Sequence, residues 1–469
     1  MTRGRTGRER AGGYGVSVSD AAASARAVTD AILADLAKAE RGVVVDSPPG
    51  AGKSTLVVAA AASLAERGER VIVVGQTNEQ VDDLIDRLAS EHGVLRIGRL
   101  SAQDYIPADR VHKHQNVTVS SSIAGLSEHP LVIATAAKWA MLSSSGLADA
   151  GPRWPWAIVD EAYQMRSDAL LRIAHLFDKA LFVGDPGQLD PFSTVETERW
   201  LGLNWDPMSS AVAVLLVNNP GIPVHTLPVS WRLPATAAPV VSSAFYPFSG
   251  FTSATELSDR GMTWNTRPFG MTSVDLALQT AADTGWALYE LPHRHALRTD
   301  GEAVDACAEL AARALLRGAV TTSERGQHGV TAERIAIGVA HRDQAAAVRR
   351  ALRARALAYP VLGSALTAVV ADTANRLQGR EFDLVIMLHP LSGRRDATAF
   401  HLEAGRLCVL ASRHRHACVV VARAGIPELL DVHPSAEPVH LGVPVKFPDG
   451  WEAHHSFMAH LSHFRVPSE

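Results

Sequence analysis

The chain has 469 residues, which is too long for one ordinary hydrophobic core and predicts two or three domains. Lys and Arg number 45 against 49 Asp and Glu, a formal net charge of −4, so any nucleic-acid surface must be a local groove. The cysteines Cys307, Cys408 and Cys418 lie far apart or within apolar runs, which predicts neither a disulfide framework nor a zinc site.

The sequence lacks the features of an exported or membrane-spanning chain. No run approaches the ~20 apolar residues of a membrane span. The start is rich in Arg and Gly but has no apolar core, so it is not a signal peptide. We therefore expect a cytoplasmic protein with no membrane partner, a disordered tail over residues 1–18 and a first helix from about Ser19.

A strand, a turn of small residues and an Ala-rich helix follow one another between residues 43 and 67, which predicts a phosphate-binding loop. Backbone N–H groups and the helix dipole would hold an anion there. Lys53 would reach the β- and γ-phosphates of ATP, and the Ser54 hydroxyl would hold Mg²⁺. Ser47 stands where the usual pattern has Gly. The expected ATP contacts in this loop are Pro49, Gly50, Ala51, Gly52, Lys53, Ser54 and Thr55.

Further strands alternate with helices, which predicts a parallel sheet with crossovers. Strand 71–74 ends in a polar turn with Thr77 and Asn78, and strand 131–134 ends at Thr135. Residues 93–130 show no clear period and are expected to form loops and short strands. Polar residues at the carboxyl ends of parallel strands lie on the ligand side of a sheet, although such turns are usually only helix caps.

Two later strands end in residues suited to phosphoryl transfer. The apolar run 156–159 delivers the adjacent carboxylates of Asp160 and Glu161 to the edge that carries the phosphate-binding loop. Asp160 would hold Mg²⁺ through water, and Glu161 would polarise the attacking water. After strand 180–183, Gln188 is placed to sense the γ-phosphate.

The second half repeats the α/β rhythm without a phosphate-binding loop, with strands expected at 286–291, 334–340, 384–387 and 418–421. Two such units with one loop predict a nucleotide bound between them, with arginines from the second unit. The expected division is a first domain over 19–235, a second over 236–445 and a C-terminal helical tail over 446–469.

The ordered motifs resemble those of superfamily 1 helicases, in particular the branch with the nonsense-mediated-decay RNA helicase and the Dna2-like enzymes. Residues 47–55 are similar to motif I, and 160–164 match the DEAxQ form of motif II. Residues 184–191 are similar to motif III, with Asp190 in place of a usual proline, and 378–381 match the QGxE of motif V. The resemblance implies two tandem RecA-like P-loop domains of the α/β class with ATP in the cleft between them.

The resemblance also implies roles for individual residues. Trp231 would stack on the base in place of a usual Tyr, Arg232 would meet the γ-phosphate, and Arg413 would be the arginine finger. Cys408 and His414 depart from motif VI, and no Gln precedes the loop to read adenine, so Trp231 would carry base recognition. Further ATP contacts are expected from Gln378, Gly379 and Glu381, and nucleic-acid contacts from Thr77, Asn78, Thr135 and Thr373.

The expected function is therefore ATP hydrolysis coupled to movement along single-stranded nucleic acid, 5′ to 3′, with DNA slightly favoured over RNA. We expect a monomer, with possible protein partners in repair or defence. A small-molecule kinase shares motif I but has no use for motifs III, V and VI, whereas an ATP-gated nucleic-acid clamp stays open as an alternative.

Histidines lie at two further places in the sequence. His454, His455, His460 and His463 near the C-terminus are interpreted as a solvated helix rather than a metal site. His341 and Gln344 would face the strand path or belong to a plain loop.

Overall fold

A computed structural model describes residues 18–144, 154–189, 191, 200, 203–266, 271–296, 298–433 and 449–468. All but the last residue of the expected N-terminal tail, and Asp190, lie outside these ranges. The chain has an α/β fold with two large parallel sheets, as the alternation of strands and helices predicts. Within the described ranges, every helix is too short or too polar to cross a membrane.

The first unit is built on an eight-stranded sheet with the order β4-β3-β5-β2-β6-β7-β1-β8, and its neighbouring strands are parallel. The strands are β1 Gly42–Asp46, β2 Val71–Gly75, β3 Ile97–Leu100, β4 Val117–Ser120, β5 Leu131–Thr135, β6 Trp154–Asp160, β7 Phe177–Gly184 and β8 Val224–Thr226. The helices are α1 Val18–Lys38, α2 Lys53–Glu66, α3 Asn78–Glu91, α4 Asp109–His112, α5 Ala136–Ser144, α6 Ser167–Ile173 and α7 Ala211–Asn218. Strands β3 and β4 fall in the segment 93–130, for which short strands are predicted.

Both faces of this sheet are covered, which explains why its central strands are continuous apolar runs. Val43 and Val45 of β1 pack into one core, together with Leu56 of α2. Val44 points to the opposite face and packs into a second core with Trp139 of α5. The carboxyl ends of β1, β6 and β7, which are neighbours in the sheet, therefore meet at one edge.

The second unit is built on a six-stranded parallel sheet with the order β16-β15-β17-β18-β12-β19. Its strands and the small sheets around it are β9 Val229–Ser230, β10 Thr252–Ser253, β11 Gly261–Trp264, β12 Trp286–Leu291, β13 Ala319–Ser323, β14 Gly326–Gly329, β15 Ile335–Val339, β16 Val370–Thr373, β17 Phe382–Leu388, β18 His414–Arg423 and β19 Arg465–Pro467. Strands β11, β13 and β14 form an antiparallel sheet, and β9 pairs with β10.

The helices of the second unit are α8 Ala238–Phe245, α9 Ser273–Thr284, α10 Gly301–Leu316, α11 Arg342–Ala358, α12 Ala365–Ala368, α13 Ala374–Leu377, α14 Ala399–Leu402, α15 Ala404–Ala411, α16 Ile426–Val432 and α17 Gly450–Leu461. Leu233 and α8 already pack into its core with Leu407 and Phe457. Leu233, which lies two residues before the predicted division at residue 235, therefore packs into the core of the second unit.

The C-terminal segment is an integral part of the second unit. Helix α17 buries Phe457 and Leu461 in the core, and β19 extends the sheet by pairing with β12. His454 is 0% exposed, and burial lowers its pKa to about 3, so it is a neutral side chain of the interior. The prediction of a solvated helix is wrong for His454, which lies on the buried inner face of α17, whereas His463 is exposed as expected. The described His, Cys, Asp and Glu side chains form no group suited to a metal ion.

Candidate active site between the two sheets

The loop after β1 is shaped by two glycines and lies against the second unit. Gly50 and Gly52 have φ angles of 74° and 90°, in the left-handed region that favours glycine. A Cβ atom added at Gly50 would lie 2.3 Å from the Cβ of Arg232. The N–H of Trp231 donates to the Gly50 carbonyl at 2.9 Å. The loop therefore has no room for a side chain at Gly50. Its contact with the second unit places Trp231 and Arg232 beside the start of α2.

Lys53, the first residue of α2, faces the two carboxylates that follow β6. Its Nζ contacts the Glu161 carboxylate and lies 3.7 Å from Asp160 Oδ1. Burial lowers the pKa of Lys53, but Glu161 and Asp160 outweigh this effect and raise it overall. Burial raises the pKa of Asp160, and Lys53 opposes that shift. The lysine is therefore charged, and it offsets part of the negative charge of the two carboxylates.

The Glu161 backbone is strained. Among the described non-glycine residues it is the one with a positive φ, at 53°. This conformation costs a non-glycine residue about 1–3 kcal/mol and is commonest at functional sites. Its N–H donates to Asp160 Oδ1 at 2.9 Å, which holds the two carboxylates in a fixed relation.

The loop after β7 is organised by the buried carboxylate of Asp185. Asp185 Oδ2 accepts a hydrogen bond from Gln188 Nε2 at 2.5 Å, and Oδ1 accepts one from the Tyr246 hydroxyl, also at 2.5 Å. The N–H of Gly187 donates to Oδ1 at 3.0 Å. Burial raises the pKa of Asp185 to about 6, although the Tyr246 hydrogen bond acts in the opposite direction. Asp185 thus fixes the amide of Gln188.

This loop also docks directly on the second unit. Gln378 Nε2 donates to Gln188 Oε1 at 2.6 Å. A Cβ added at Gly405 of α15 would lie 2.4 Å from the Gln188 carbonyl oxygen, so the helix and loop backbones are in contact. Tyr246, which belongs to the core of the second unit, completes the junction. The two units therefore meet through the side chain predicted to sense the γ-phosphate.

An ionic network surrounds Glu381, which follows the predicted motif V glycine. Arg415 Nη1 donates to Glu381 Oε1 at 3.0 Å, and Arg232 Nε lies 3.5 Å from Oε2. Burial raises the pKa of Glu381, but Arg415 and Arg232 outweigh it and lower the pKa overall. Glu324 accepts hydrogen bonds from Arg415 at 2.9 Å and from Arg260, which also donates to the Trp231 carbonyl at 2.8 Å. Glu381 thus holds arginines in place.

Arg413 is fully buried yet keeps one donor without a partner. Its Nε donates to the Val409 carbonyl at 3.0 Å and its Nη2 to Ser412 Oγ at 2.8 Å. Nη1 is buried and has no hydrogen-bond partner. Burial, followed by repulsion from Arg232, lowers the pKa of Arg413 to about 10, so it is still a cation at neutral pH. An unpaired buried cation is costly, and an anionic ligand would satisfy it.

These side chains line one cavity of about 890 Å³ between the units. This volume is in the range of nucleotide-sized ligand sites. Trp231 is 37% exposed beside the loop and offers an aromatic face. Ser54 and Asp160 offer a hydroxyl and a carboxylate oxygen, donors that suit Mg²⁺. The predicted residues in the lining are Pro49, Gly50, Ala51, Gly52, Lys53, Ser54, Thr55, Thr77, Asp160, Glu161, Gln188, Trp231, Arg232, Gln378, Gly379, Glu381 and Arg413.

The residues predicted to touch nucleic acid are used locally in this structure. Thr77 lies in the lining of the same cavity, and its hydroxyl caps α3 by accepting from the Gln80 N–H at 3.2 Å. Asn78 accepts from Arg99 at 2.8 Å, and Thr135 from the Lys138 N–H at 3.3 Å. Thr373 precedes α13 and is mostly buried. Their contact with nucleic acid stays a prediction.

His341 and Gln344 begin α11 and form a cap. The N–H of His341 donates to Gln344 Oε1 at 2.9 Å, and Gln344 Nε2 donates to the Arg298 carbonyl at 2.9 Å. The His341 ring stacks on Phe400 with 4.7 Å between ring centres, and its Nε2 lies 3.0 Å from that of His401. His341 is therefore packed against a neighbouring helix.

Sequence reasoning did not select Tyr246, Arg260, Glu324 or Arg415. Arg415 had a weak signal, since it lies two residues after Arg413 and side chains alternate along a strand. The other three come from segments with no motif, and only their packing brings them to the site.

Residues 26–201 match an AAA domain. The matched segment includes the loop after β1, both carboxylates after β6 and the loop with Gln188. No curated protein is similar enough to this chain to count as a match.

Several solved helicase structures are similar to the chain at low sequence identity. The crystal structure of the arterivirus nonstructural protein 10 helicase is 13% identical, with a TM-score of 0.43 over 89% of this chain and 65% of that chain. The same helicase in complex with DNA is 12% identical, with a TM-score of 0.41 over 85% of this chain and 63% of that chain. The DUF1998 helicase MrfA bound to DNA is 12% identical, with a TM-score of 0.44 over 87% of this chain and 50% of that chain. The chain thus spans between half and two thirds of the length of these proteins.

Proposed function

We propose that this chain is an ATP-dependent nucleic-acid helicase or translocase of superfamily 1, which hydrolyses ATP between its two units and moves along a single strand. The observation that carries the proposal is the buried, unpaired Nη1 of Arg413 in the cavity that also holds Lys53 and Glu161. A γ-phosphate bound between Arg413 and Lys53 would pair with both of these cations. This arrangement requires both units, which is the geometry of a motor driven by closure of a cleft.

In this proposal the first unit binds the phosphates and prepares the nucleophile. Residues 47–55 surround the phosphates with backbone N–H groups, and Lys53 turns from Glu161 to the phosphates when ATP enters. Ser54 and Asp160 would hold Mg²⁺, which neutralises phosphate charge and orients the phosphates. Glu161, once released by Lys53, accepts a hydrogen bond from the attacking water. The resting contact between Lys53 and Glu161 thus keeps the base inactive until nucleotide arrives.

The second unit would stabilise the transition state and report on hydrolysis. Arg413 and Arg232 offer their guanidinium groups to the transferring phosphoryl group. Gln188 is tied to Asp185 on one side and to Gln378 on the other. Loss of the γ-phosphate would therefore change the contacts at the junction of the units, where Tyr246 and Gly405 contact the same loop. Repeated closure and opening would move the units along the strand.

The partner in this proposal is single-stranded nucleic acid, with DNA favoured over RNA and movement from 5′ to 3′. The test is steady-state ATP hydrolysis with and without matched DNA and RNA oligomers, followed by displacement of strands from duplexes with 5′ or 3′ tails. We expect stimulation by a single strand and displacement from 5′-tailed duplexes. Unchanged turnover with either nucleic acid would contradict the proposal. Tight ATP-dependent binding of the strand with negligible turnover would instead identify an ATP-gated clamp.

A further inference from the structure

A smaller pocket of about 210 Å³ lies at the carboxyl edge of the second sheet. The loops that follow β12, β17 and β18 form it, and we call it the three-loop pocket. These strands are neighbours, so their carboxyl ends lie side by side. Its basic lining residues are His293, Arg294, His295, Arg394, Arg395 and His433.

The three loops are held together by a buried arginine. Arg423, at the end of β18, donates from Nη1 to the Pro292 carbonyl at 3.0 Å and from Nε to Asp300 Oδ2 at 2.5 Å. Its backbone N–H donates to Ser392 Oγ at 2.9 Å. The N–H of Ala296 donates to the Gly393 carbonyl at 2.8 Å. The pocket is therefore a preformed structure rather than a gap between unconnected loops.

Two glycines permit the close approach of these loops. Gly393 has φ of 68°, and an added Cβ would lie 3.0 Å from the Ala296 Cβ. Gly425 has φ of 99°, and an added Cβ would lie 2.4 Å from His293 Cδ2. Both positions require the left-handed backbone and the missing side chain of glycine. The loop backbones thus fix the positions from which the basic side chains extend.

The described lining carries the arginines Arg294, Arg394 and Arg395, of which Arg294 is already paired, since its Nη2 donates to Glu302 at 3.0 Å. Arg394 Nη2 donates to Asp396 at 3.0 Å, but its Nε is buried without a partner. Arg395 is exposed and has no ion pair with any residue that the structure describes. Two guanidinium groups thus retain donors for an anion. Guanidinium donors that have no protein partner are suited to charge-assisted hydrogen bonds with a phosphate.

The place of the pocket in the fold indicates which anion it receives. The ATP cavity takes residues before β17 and β18, such as Glu381 and Arg413, so it uses the amino edge of the second sheet. Ligands of open α/β sheets usually bind at the carboxyl edge, which here is left for another ligand. A volume of about 210 Å³ is small for a whole nucleotide but fits one phosphate and its sugar. Thr373 ends β16 at the same edge, two strand spacings or about 10 Å from β17.

We propose that the three-loop pocket binds a phosphodiester group of the single strand through Arg394 and Arg395. This inference rests on the proposed function, since it assigns part of the strand path across the second unit. The contact is to the backbone, so it carries no base preference.

The test is binding of a fluorescein-labelled single-stranded DNA oligomer to the full chain, measured by anisotropy across a range of salt concentrations. The variant Arg394→Gln/Arg395→Gln removes both donors. Its matched control, Arg350→Gln/Arg353→Gln, removes the same charge from the exposed face of α11. Each lost phosphate contact should lower the salt slope by about 0.7 and weaken binding roughly 5-fold at 0.1 M salt. Arg395→Gln alone, at an exposed position, tests one contact with minimal risk to folding.

The outcomes separate this inference from the proposed function. The pocket assignment is supported if the pocket variants bind more weakly and have a smaller salt slope. The control should then bind like the natural chain, and basal ATP hydrolysis should be unchanged. Equal binding by pocket variant and control overturns it and leaves the proposed function standing. Failure of the natural chain to bind single-stranded DNA or RNA at low salt overturns the proposed function itself, and the pocket assignment with it.

Discussion

Replacing Tyr246 by Phe removes a single hydroxyl from the junction of the two units. Tyr246 is buried, and its hydroxyl donates to Asp185 Oδ1 at 2.5 Å. A hydrogen bond to a charged group contributes about 1.5–3 kcal/mol, and its loss leaves a buried carboxylate under-satisfied. The free energy of unfolding should therefore fall by about 2 kcal/mol when Asp185 is ionised.

The loss of stability caused by Tyr246→Phe should depend on pH, and the pKa of Asp185 determines whether it grows or shrinks as pH rises. Burial raises this pKa from 3.8 to about 6 in the folded chain. An acid whose pKa is raised by folding contributes stability that is present below its unfolded pKa. This stability is lost as pH rises through its folded pKa. The Tyr246 hydrogen bond lowers the pKa, so Tyr246→Phe should raise it further and extend the loss to higher pH. The destabilisation should be about 2 kcal/mol at pH 8 and less than about 1 kcal/mol at pH 5.

The assay is urea denaturation of the natural chain and the variant at pH 8 and pH 5, with ATP turnover measured in parallel. Tyr359→Phe is a matched control, because it removes a hydroxyl that donates to Glu309 at 2.7 Å within the second unit. That control should leave nucleic-acid-stimulated turnover unchanged, whereas Tyr246→Phe should reduce it. Equal destabilisation by Tyr246→Phe at the two pH values would refute the reasoning.

Other variants test the proposed ATP cavity and the junction of the two units. Arg413→Ala should lower turnover about 10³–10⁵-fold while a fluorescent ATP analogue still binds, and near-normal turnover would remove Arg413 as the arginine finger. Lys53→Ala should abolish ATP hydrolysis and greatly weaken ATP-analogue binding, because the loop loses its one lysine; retained hydrolysis would contradict the assignment. Gly405→Ala should lower nucleic-acid stimulation at little cost to analogue binding, since its Cβ would meet the Gln188 carbonyl at 2.4 Å, and an unchanged stimulation ratio would show that the junction tolerates separation.

The conformation of the loop after β1 and the position of the strand-end carboxylates could be predicted because the information for them is local. An apolar run followed by small residues and an Ala-rich segment allows few backbone paths, and parallel strands place their carboxyl ends at one edge. Lys53 and Asp160 are therefore brought together by strands β1 and β6, whose place in one sheet follows from the alternation. The loop of Gln188 follows β7 for the same reason.

The contacts between the units could not be predicted, because they depend on packing between distant segments. Tyr246 reaches Asp185 from the end of a helix that has no motif, and its phenol resembles any core aromatic in the sequence. Arg260 and Glu324 come from loops around a small antiparallel sheet. The environment of His454 could not be predicted either. The several histidines of α17 indicate a polar helix, but His454 lies on its apolar face and is buried in neutral form.

The two sheets present opposite edges to one cavity, and this accounts for the proposed phosphate-binding loop occurring in one unit and not in the other. A phosphate-binding loop requires the carboxyl end of a strand and the positive end of a helix, which β1 and α2 supply. The second sheet offers the amino ends of β17 and β18, where such a loop cannot form. There Arg413 follows the carboxyl end of α15, and the Val409 carbonyl of that helix accepts from its Nε. The negative end of a helix thus holds a cation without neutralising it, which leaves Nη1 for an anion bound by the first unit.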